Sequence, residues 1–564
     1  MTKGNGKKLA IAGTVIAAGC FAAEYCGNKK LKKRKEQLRK DFGKQDFTDS
    51  HAYFVGGGLA SMAGAAYLIR DCRFMGSHIH IYEGADAPGE SQAFVCPGLS
   101  LIQESVSENF WDLLSGIPSL HRPEHSVKDE MLAYDRRHAI YTGARLIDRN
   151  GGVTSADRPG FDKKDRELLV KLMVIPEEKL DDLTIQDWFA HDPHFFETDF
   201  WYVWRTTFAF QPWSSLFELR RCLGRMILDF AGGNRKKTVS MTPMNPYDSF
   251  LHPLQVYLKE MGVQFVMGAV VQDIDFDEED EFRATALHIQ ETNRENTIVL
   301  GKQDLCFMTV GAMLDQASFG SLDQAADFAP QRPVSAELWQ KVTAKKDGLG
   351  NPEPFFANIE QSMMESITIT SRGTALARLI QACADNHTEQ ATWVTLHDSP
   401  WLISCVVPGQ PCFAQQSRQE QVVWAYGLCA DRPGDHVKKT MRECSGREIL
   451  EEILYQMRAL DRKEEILREV RWAVPCIMPY AAALHQPRKK QDRPHMVPEG
   501  SRNFAMIGQF VEVPGDVVFT EEYSVRTART AVYKLTGNPE TVCPVTPYKT
   551  RPLVCLRALR RLWT

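Results

Sequence analysis

The sequence predicts an α/β fold organised around a parallel β-sheet, and three observations indicate it. Residues 52–89 run in the order strand, glycine cluster, helix, strand. A final apolar run leads through a glycine-containing loop into a helix over 504–528. Short apolar runs typical of buried parallel strands recur between these two segments at 263–276, 304–310, 401–407 and 421–429, and the run at 503–507 begins the final segment. We therefore expect one sheet assembled from distant segments, with helical insertions between them.

The first of these segments carries the residue types of a dinucleotide-binding turn. Gly56 permits a turn that side chains would block, and Gly58 lets the backbone approach a pyrophosphate. The helix that follows offers unpaired N–H groups and partial positive charge to that anion. Ser61 stands where the G-x-G-x-x-G pattern has its third glycine, and Glu83 ends the second strand, where it is expected to bind a ribose. The alternative is a glycine-rich turn in another kind of α/β unit.

Later segments are expected to complete the nucleotide site. Residues 263–276 predict two strands with a turn at Gly268, with backbone near Val271 facing an adenine ring. Thr309, at the end of the 304–310 strand, is expected to contact the cofactor. In the last segment a strand ends at Gly508 and a helix begins near Thr520, an arrangement that closes over the flavin in two-nucleotide flavoproteins. The alternative is a further strand–loop–helix of the same sheet.

Composition narrows the class of protein. The chain has 564 residues, a net charge of −5 and 25% charged residues, which describe a globular protein with room for several domains. It has no basic domain, no aromatic–basic repeat and no metal-ligand spacing, so neither nucleic acid nor a metal is expected as a partner. None of the 14 cysteines forms a C-x-x-C pair, which indicates a reduced, intracellular protein.

The two ends of the chain suggest membrane contact. Residues 9–23 carry no charge and lie between lysine clusters, but the run is shorter than the about 20 residues of a full span. The basic cluster after it favours an anchor with a cytoplasmic body, and a disordered or targeting leader stays open. The tail, 551–564, is basic and amphipathic. It predicts an interfacial helix on anionic lipid or a helix docked on its own core.

The element order predicts a domain organisation. Residues 185–230 are unusually aromatic, which indicates a helical core or, alternatively, the lining of a site for a long apolar ligand. The predicted units are a leader at 1–45, nucleotide-binding segments at 46–150, 261–330 and 501–540, a mostly helical substrate lobe at 151–260, a lobe of strands and helices at 331–500, and a tail at 541–564.

These segments together resemble the oleate hydratase family, also called myosin-cross-reactive antigens. The resemblance extends from about 53 to 528 and rests on long strings such as FVGGGLASMAGAAYLIRD, FWYVWRTTFAFQPWSSLFELRR and GQFVEVPGDVVFTEEYSVRTA. It implies a glutathione-reductase-type FAD domain in discontinuous segments with helical substrate lobes, and a homodimer. It also implies addition of water across a cis double bond of a long-chain unsaturated fatty acid, with FAD polarising the site rather than undergoing net redox chemistry. For FAD the resemblance assigns Gly56, Gly58, Ser61, Glu83, Gly508, Gln509, Phe510, Thr520 and Ser524.

The catalytic strings depart from the family pattern. Hydration needs an acid to protonate the alkene and a base to activate water. The family's glutamate lies in a G-G-R-E-M type string, whereas this chain has Ile102 at that position and Glu104 two residues away. The family's Y-N-Q-Y type string is Met-Asn-Pro-Tyr here, so that only Tyr247 remains. Glu104 and Tyr247 are therefore the catalytic candidates, with Glu108 as a further acid nearby.

The string that binds the substrate carboxylate also departs. The family's threonine, asparagine and histidine correspond to Val406, Pro408 and Cys412. A buried carboxylate without partners costs several kcal/mol, so either the substrate is not a free fatty acid or another group binds it. Three functions stay open: an FAD-dependent hydratase or isomerase with relocated acids, a flavin-dependent oxidoreductase on a lipophilic secondary metabolite, and a non-catalytic FAD- or lipid-binding relative at a membrane.

Overall fold

The computed structural model describes residues 34–85, 93–137, 145–154, 156–232, 240–277, 282–291, 294–384 and 391–563. The apolar run at 9–23 lies outside these residues. Within them the strands are β1 (Ala52–Val55), β2 (Ile79–Glu83), β3 (Leu101–Ile102), β4 (Arg145–Ile147), β5 (Val153–Thr154), β6 (Ser240–Met241), β7 (Gln264–Met267), β8 (Ala269–Phe276), β9 (Ala284–Glu291), β10 (Arg294–Val299), β11 (Leu305–Thr309), β12 (Ser318–Phe319), β13 (Met364–Ser371), β14 (Thr392–Leu396), β15 (Ile403–Val407), β16 (Gln421–Gly427), β17 (Val470–Met478) and β18 (Phe504–Ile507).

The α-helices connect and cover these strands. They are α1 (34–42), α2 (Leu59–Cys72), α3 (Glu108–Leu114), α4 (Val127–Arg137), α5 (Lys163–Val174), α6 (Ile185–Trp188), α7 (Asp199–Phe208), α8 (Leu216–Arg225), α9 (Ile227–Gly232), α10 (His252–Glu260), α11 (Val334–Lys345), α12 (Glu353–Phe356), α13 (Ile359–Ser362), α14 (Ala375–Cys383), α15 (Gly446–Gln456), α16 (Lys463–Glu469), α17 (Glu521–Thr536) and α18 (Pro552–Leu562).

The first of the two large sheets is five-stranded and parallel. Its order is β18-β11-β1-β2-β7, and every neighbouring pair is parallel. Ala52 lies between Leu305 and Ile79 in the register, so the central strand is flanked by one near and one distant segment. The predicted α/β class, with a sheet assembled from discontinuous segments, is confirmed.

The parallel sheet is covered on both faces. Helices α2 and α17 pack on one face in a core that contains Phe54 and Phe307. Gly64 allows this close approach, because a Cβ there would lie 2.5 Å from the ring of Phe54. The other face, with Tyr53 and Met308, packs against the antiparallel sheet β10-β9-β8 and helix α11. Two-sided burial explains why these strands are continuous apolar runs in the sequence.

A second, eight-stranded sheet was not expected. Its order is β12-β17-β13-β16-β15-β14-β4-β5, and its pairs are antiparallel except for β14 with β4. The expectation that the strands near 401–407 and 421–429 join the parallel sheet is wrong, since β15 and β16 lie here. All five residues of β15 are buried, so its sequence has the unbroken apolar character of a parallel strand.

The aromatic stretch forms a helical lobe, as predicted. Helices α5 to α8 surround a core that includes Phe189, Phe195 and Trp201. The rings of Phe189 and Phe195 stack with centroids 3.7 Å apart. Helix α18 contacts this lobe through Leu562, but it leaves Leu553 72% and Trp563 61% exposed. Among the described helices, none combines the length and the apolar character that crossing a bilayer requires.

Candidate functional site

The glycine turn lies at the carboxyl end of β1, where the central strands of the parallel sheet end. Gly56 has φ +95, and its N–H donates to the carbonyl of Tyr82 at 2.8 Å. A Cβ on Gly56 would lie 3.1 Å from Cβ of Thr309. Both the backbone conformation and the packing therefore require glycine at this position.

The amino end of α2 is open, in contrast to the packed turn before it. Gly58 is the N-cap residue, no side chain caps the helix, and the first turn contains no acidic residue. A Cβ on Gly58 would meet no atom within 4 Å. The first-turn N–H groups and the helix dipole therefore stand beside a space that a side chain at 58 would fill, which fits a pyrophosphate.

Glu83 holds the glycine turn from the neighbouring strand. Its Oε2 accepts the N–H of Gly57 at 2.8 Å, and its Oε1 accepts the N–H of Ala85 at 3.0 Å. A Cβ on Gly84 would lie 3.0 Å from the side chain of Val270, so β8 passes close to the end of β2. Val271 itself is 4% exposed and pairs with Ile289.

The closing segment meets the first unit at Thr309. The hydroxyl of Thr309 lies 3.1 Å from that of Ser61, which is fully buried between α2 and β11. A Cβ on Gly508 would lie 3.4 Å from Cγ2 of Thr309 on the opposite side, and Gly508 has φ +100. The fold thus gathers Gly56, Ser61, Thr309 and Gly508 at the carboxyl ends of three adjacent strands, where open α/β sheets bind ligands.

The other predicted closing residues shape the loop and the start of α17. Gln509 donates its side-chain amide to the carbonyl of Val518 at 2.9 Å. Phe510 is fully buried and stacks on Phe356 with centroids 5.4 Å apart. Thr520 is the N-cap of α17, as predicted, and accepts the N–H of Tyr523. Ser524, in the first turn of that helix, is 8% exposed.

Residues 49–533 match the MCRA family. The chain belongs to the MCRA family. It is 32% identical over 560 residues to the linoleate hydratase of Lactiplantibacillus plantarum, covering 91% of this chain and 98% of the relative. It is 34% identical over 499 residues to the oleate hydratase of Streptococcus pyogenes serotype M49 (strain NZ131), covering 86% and 84%. An oxidoreductase of known structure from Methanosarcina mazei aligns with a TM-score of 0.46 at 11% identity, covering 86% of this chain and all of the other.

The three strings that depart from the MCRA pattern lie together in space. Phe94, which precedes Ile102 and Glu104 in the first string, stacks on Phe413, which follows Cys412 in the third string. Their ring centroids are 4.7 Å apart. Asn245 of the second string donates its backbone N–H to the carbonyl of Cys412 at 2.7 Å. Asp248, one residue past Tyr247, accepts the N–H of Ala414 at 3.0 Å. Segments that are distant in the sequence thus build one candidate catalytic region.

The two predicted catalytic side chains are exposed. Glu104 is the first residue of a 3₁₀ turn and is exposed. Tyr247 begins a π-helical turn, is 48% exposed and stacks on His252. Partial burial, aided by Asp248, raises the pKa of the Tyr247 phenol. Tyr247 therefore keeps its proton at neutral pH.

Glu108 has a different environment. Its carboxylate lies 2.7 Å from the guanidinium of Arg225 and 3.2 Å from that of Arg526, and it accepts the hydroxyl of Thr546. Burial favours the neutral acid, but the hydrogen bond and charge of Arg225 outweigh it and lower the pKa of Glu108. These contacts hold Glu108 as an anion in a structural ion pair.

The positions of the lost carboxylate-binding residues are buried. Val406 is 3% exposed and lies between Trp393 and Trp424 on the neighbouring strands. Cys412 is 1% exposed, and burial, with the nearby Asp248, raises the pKa of its thiol to about 12. A neutral thiol and a valine replace groups that donate hydrogen bonds in the family pattern. This part of the region favours an apolar or neutral ligand group.

Several sets of buried charges were not predicted from the sequence, and two of them lie in α8 and in β13. In the first, Glu218, Arg221 and Arg225 of α8 face inward and pair with residues of the closing segment and of 488–493. These residues are spaced about one helical turn apart along α8, so the sequence places them on one face of the helix. That pattern could have indicated a buried charged cluster. The second is Glu365 on β13, which is fully buried, and neither carboxylate oxygen has a hydrogen-bond partner among the described residues. Burial raises the pKa of Glu365 to about 8.

Proposed function

We propose that this chain is an FAD-binding hydratase that adds water to, or isomerises, a double bond of a long-chain unsaturated fatty acid or a similar lipophilic substrate. The observation that carries the proposal is the family match over 49–533, together with relatives named for oleate and linoleate hydration that align over most of both chains. The convergence of the three divergent strings supports one catalytic region built from these segments.

FAD fits the residues at the edge of the parallel sheet. The amino end of α2 beside Gly58 would hold the pyrophosphate, and Glu83 would hold a ribose. Gly508 and the loop that ends at Thr520 would close over the other half. Bound there, FAD would supply a polarised ring surface beside the double bond.

The acid and the base of hydration would come from Tyr247 and Glu104. The phenol of Tyr247 holds a proton that can pass to one alkene carbon, while the Glu104 carboxylate removes a proton from the water whose oxygen bonds to the other carbon. After each turnover the proton on Glu104 returns to Tyr247 through solvent. Because both side chains are exposed in the structure, this chemistry requires the substrate itself to cover them and exclude bulk water.

The replaced donors constrain the polar end of the substrate. With Val406, Pro408 and Cys412 in place of the family's donors, a free carboxylate would need another partner. Either the substrate carries a neutral end, such as an ester or an alcohol, or a different group of the protein binds the acid.

The chain is also proposed to contact membranes and to form a homodimer. The exposed apolar residues of α18, Leu553, Leu556 and Trp563, lie among Arg557 and Arg560, a composition suited to an anionic lipid surface. Such contact would bring the protein to the source of a lipophilic substrate.

The activity is tested by incubating oleate, linoleate and their methyl esters with the FAD-loaded protein, with the flavin reduced. We expect a product heavier by one water, with the oxygen derived from H₂¹⁸O. Tyr247→Phe should reduce the rate by about 10²-fold or more, while Tyr455→Phe, an exposed tyrosine elsewhere, should not. Preference for the esters over the acids would identify the polar end.

A second candidate function is a flavin-dependent oxidoreductase acting on a lipophilic secondary metabolite. The loss of the family's glutamate string favours it, while the glycine turn that fits a nucleotide is retained. In that case substrate would drive consumption of nicotinamide cofactor or oxygen, and no oxygen from water would enter the product. A protein that remains colourless with added FAD would contradict both functions.

A further inference from the structure

A cluster of three aspartates and one histidine lies in the helical lobe, away from the predicted nucleotide site. Asp162 is the N-cap of α5, Asp165 is in its first turn, and His194 lies in the 3₁₀ turn Pro193–Glu197. One ligand atom from each of these three residues lies within 4.8 Å of the others. Nδ1 of His194 is 2.8 Å from Oδ2 of Asp165 and 3.9 Å from Oδ2 of Asp162.

A fourth residue, Asp192, completes the cluster. It is 4% exposed, directly precedes the turn that carries His194, and its carboxyl group is within hydrogen-bonding reach of that of Asp165. Two acidic side chains thus face each other in a dry environment.

In the described part of the chain, one oxygen of each of these two carboxylates lacks a donor, although Oδ2 of Asp165 accepts the N–H of Asp162 and contacts His194. Asp165 is fully buried, and among the residues that the structure describes neither its Oδ1 nor the Oδ2 of Asp192 has a hydrogen-bond partner. An unpaired buried anion costs several kcal/mol, so such oxygens require a proton or a cation. This requirement is separate from the helix capping by Asp162, which uses its other carboxylate oxygen, Oδ1.

The neighbouring cations do not meet this requirement. The ammonium of Lys164 donates to the carbonyl of His191, and that of Lys163 pairs with Glu167 on the exposed side of α5. Among the described residues, the imidazole of His194 is the cationic group that pairs with the cluster, and it can neutralise at most one of three carboxylates. The cluster keeps an excess of negative charge.

We propose that Asp162, Asp165, Asp192 and His194 bind a divalent transition-metal ion of the Zn²⁺ or Mn²⁺ class. Carboxylate oxygens with one imidazole nitrogen suit these ions, and Asp165 and Asp192 supply the two oxygens that have no other partner. Since Asp162 and His194 are about half exposed, the ion can enter from solvent.

The bound ion would have a structural role. It joins the amino end of α5 to the turn that carries Phe195, whose ring stacks on Phe189 in the centre of the aromatic core. Binding to the folded state alone stabilises that state by mass action. The inference does not depend on the proposed hydratase activity, and activity is not its test.

The test uses the full chain, stripped with EDTA and titrated with Zn²⁺ and, separately, Mn²⁺. We expect one ion per chain by plasma mass spectrometry after dialysis, a higher thermal midpoint with the ion, and broadening of the Mn²⁺ paramagnetic resonance signal. Asp165→Asn and His194→Ala should each weaken binding by at least about tenfold. Glu167→Gln, on the same helix with its side chain 66% exposed, is the matched control and should bind like the unaltered protein.

Each of the other results overturns the proposal. Less than one ion per chain at saturating metal, or equal binding by the unaltered protein and His194→Ala, would mean that the carboxylates share a proton instead. Because Asp165 also accepts backbone hydrogen bonds, its variant is checked for folding by circular dichroism. If Asp165→Asn is unfolded, metal binding by His194→Ala is the deciding measurement, because the His194 side chain is partly exposed.

Discussion

Gly56 and Gly58 are only two residues apart, yet substitutions at them are expected to affect different properties. A substitution at Gly56 should lower stability, and one at Gly58 should lower FAD affinity. Gly58 has extended backbone, with φ −73 and ψ −178, and open space around its Cβ position. Gly58→Val should therefore change the stability of the FAD-free protein by no more than about 0.5 kcal/mol. The valine would occupy the pyrophosphate position, so FAD affinity, measured by fluorescence titration, should fall by at least about tenfold.

Gly56→Ala is the contrasting control. With φ +95 and Thr309 at 3.1 Å, alanine should destabilise the FAD-free protein by about 1–3 kcal/mol in urea unfolding. Unchanged FAD binding by Gly58→Val would rule out the amino end of α2 as the phosphate site.

Glu365 should make stability depend on pH. Its pKa in the folded protein is about 8, above its ordinary value of 4.5, because burial disfavours the charged form. Between pH 4.5 and about pH 8 the folded state keeps a proton on Glu365 that the unfolded state has lost. The contribution of Glu365 to the free energy of unfolding is therefore most favourable in acid and falls as pH rises through this range, by about 1.4 kcal/mol per pH unit.

Glu365→Gln should remove that fall, measured as the urea unfolding free energy at several pH values. Glu360→Gln, whose side chain is 65% exposed, should not. Identical pH profiles for Glu365→Gln and the unaltered protein would mean that a charged partner compensates Glu365.

The candidate site was predictable where a residue acts through the backbone. Gly56 was predicted from the tight turn after a strand, and Gly508 from the end of a strand; both have positive φ, and their contact with FAD stays a prediction. Glu104 was proposed only because it lies two residues from Ile102, which occupies the position of the family's glutamate. The exposure of a loop side chain depends on packing that local sequence does not encode. The acidic cluster around Asp165 was missed because His194 joins it only through the tertiary fold.

At the scale of elements, α18 offers a test of membrane contact. Leu553 and Leu556 are 72% and 64% exposed, and arginines share the helix. We expect the protein to sediment with vesicles that contain anionic phospholipid and to be released by high salt. Leu556→Glu combined with Trp563→Glu should reduce the bound fraction severalfold.

Val299→Glu is the control for that experiment, since Val299 is 77% exposed on β10. Equal sedimentation of all three proteins would show that α18 does not contact the lipid. Binding to neutral vesicles as strong as to anionic ones would exclude the arginines from the contact.

The positions of the β-strands were predicted better than the strands with which they pair. The strands β1, β2, β7, β11 and β18 were found because they are short apolar runs. In β1, β11 and β18 this pattern reflects nearly complete burial, whereas none of the four residues of the edge strand β7 is buried. The same pattern in β15 arises from a mainly antiparallel sheet covered by α14 on one side, so burial alone did not distinguish the two sheets. Strand pairing is a long-range property, and the eight-stranded sheet is built from pairs that the sequence did not reveal.

At the scale of the whole molecule, a buried ionic network joins the helical lobe to the nucleotide-binding half. Arg221 and Arg225 of α8 contact Glu512 at 2.5 Å and Asp516 at 3.0 Å, both in the loop between β18 and α17. Glu218, also on α8, contacts Arg488 at 2.8 Å and Arg493 at 3.4 Å. Arg493 in turn donates to the carbonyl of Gln509. The network therefore positions the loop that is proposed to close over FAD.

Glu218→Gln should weaken both stability and FAD binding. Although burial alone would raise the pKa of Glu218, the charges of Arg488, Arg493 and Arg221 lower it to about 2, so it is an anion at every pH at which the protein works. Glutamine keeps the shape but removes the counter-charge that Arg493 shares with Arg488, and it leaves Arg488 with Glu512 alone, at 3.6 Å. The expected cost is about 3–5 kcal/mol in urea unfolding. Glu465→Gln, which removes the exposed pair with Arg462, should cost no more than about 1 kcal/mol. A Glu218→Gln protein as stable as this control would mean that water or local rearrangement solvates the arginines, and that the two halves are held together by apolar packing instead.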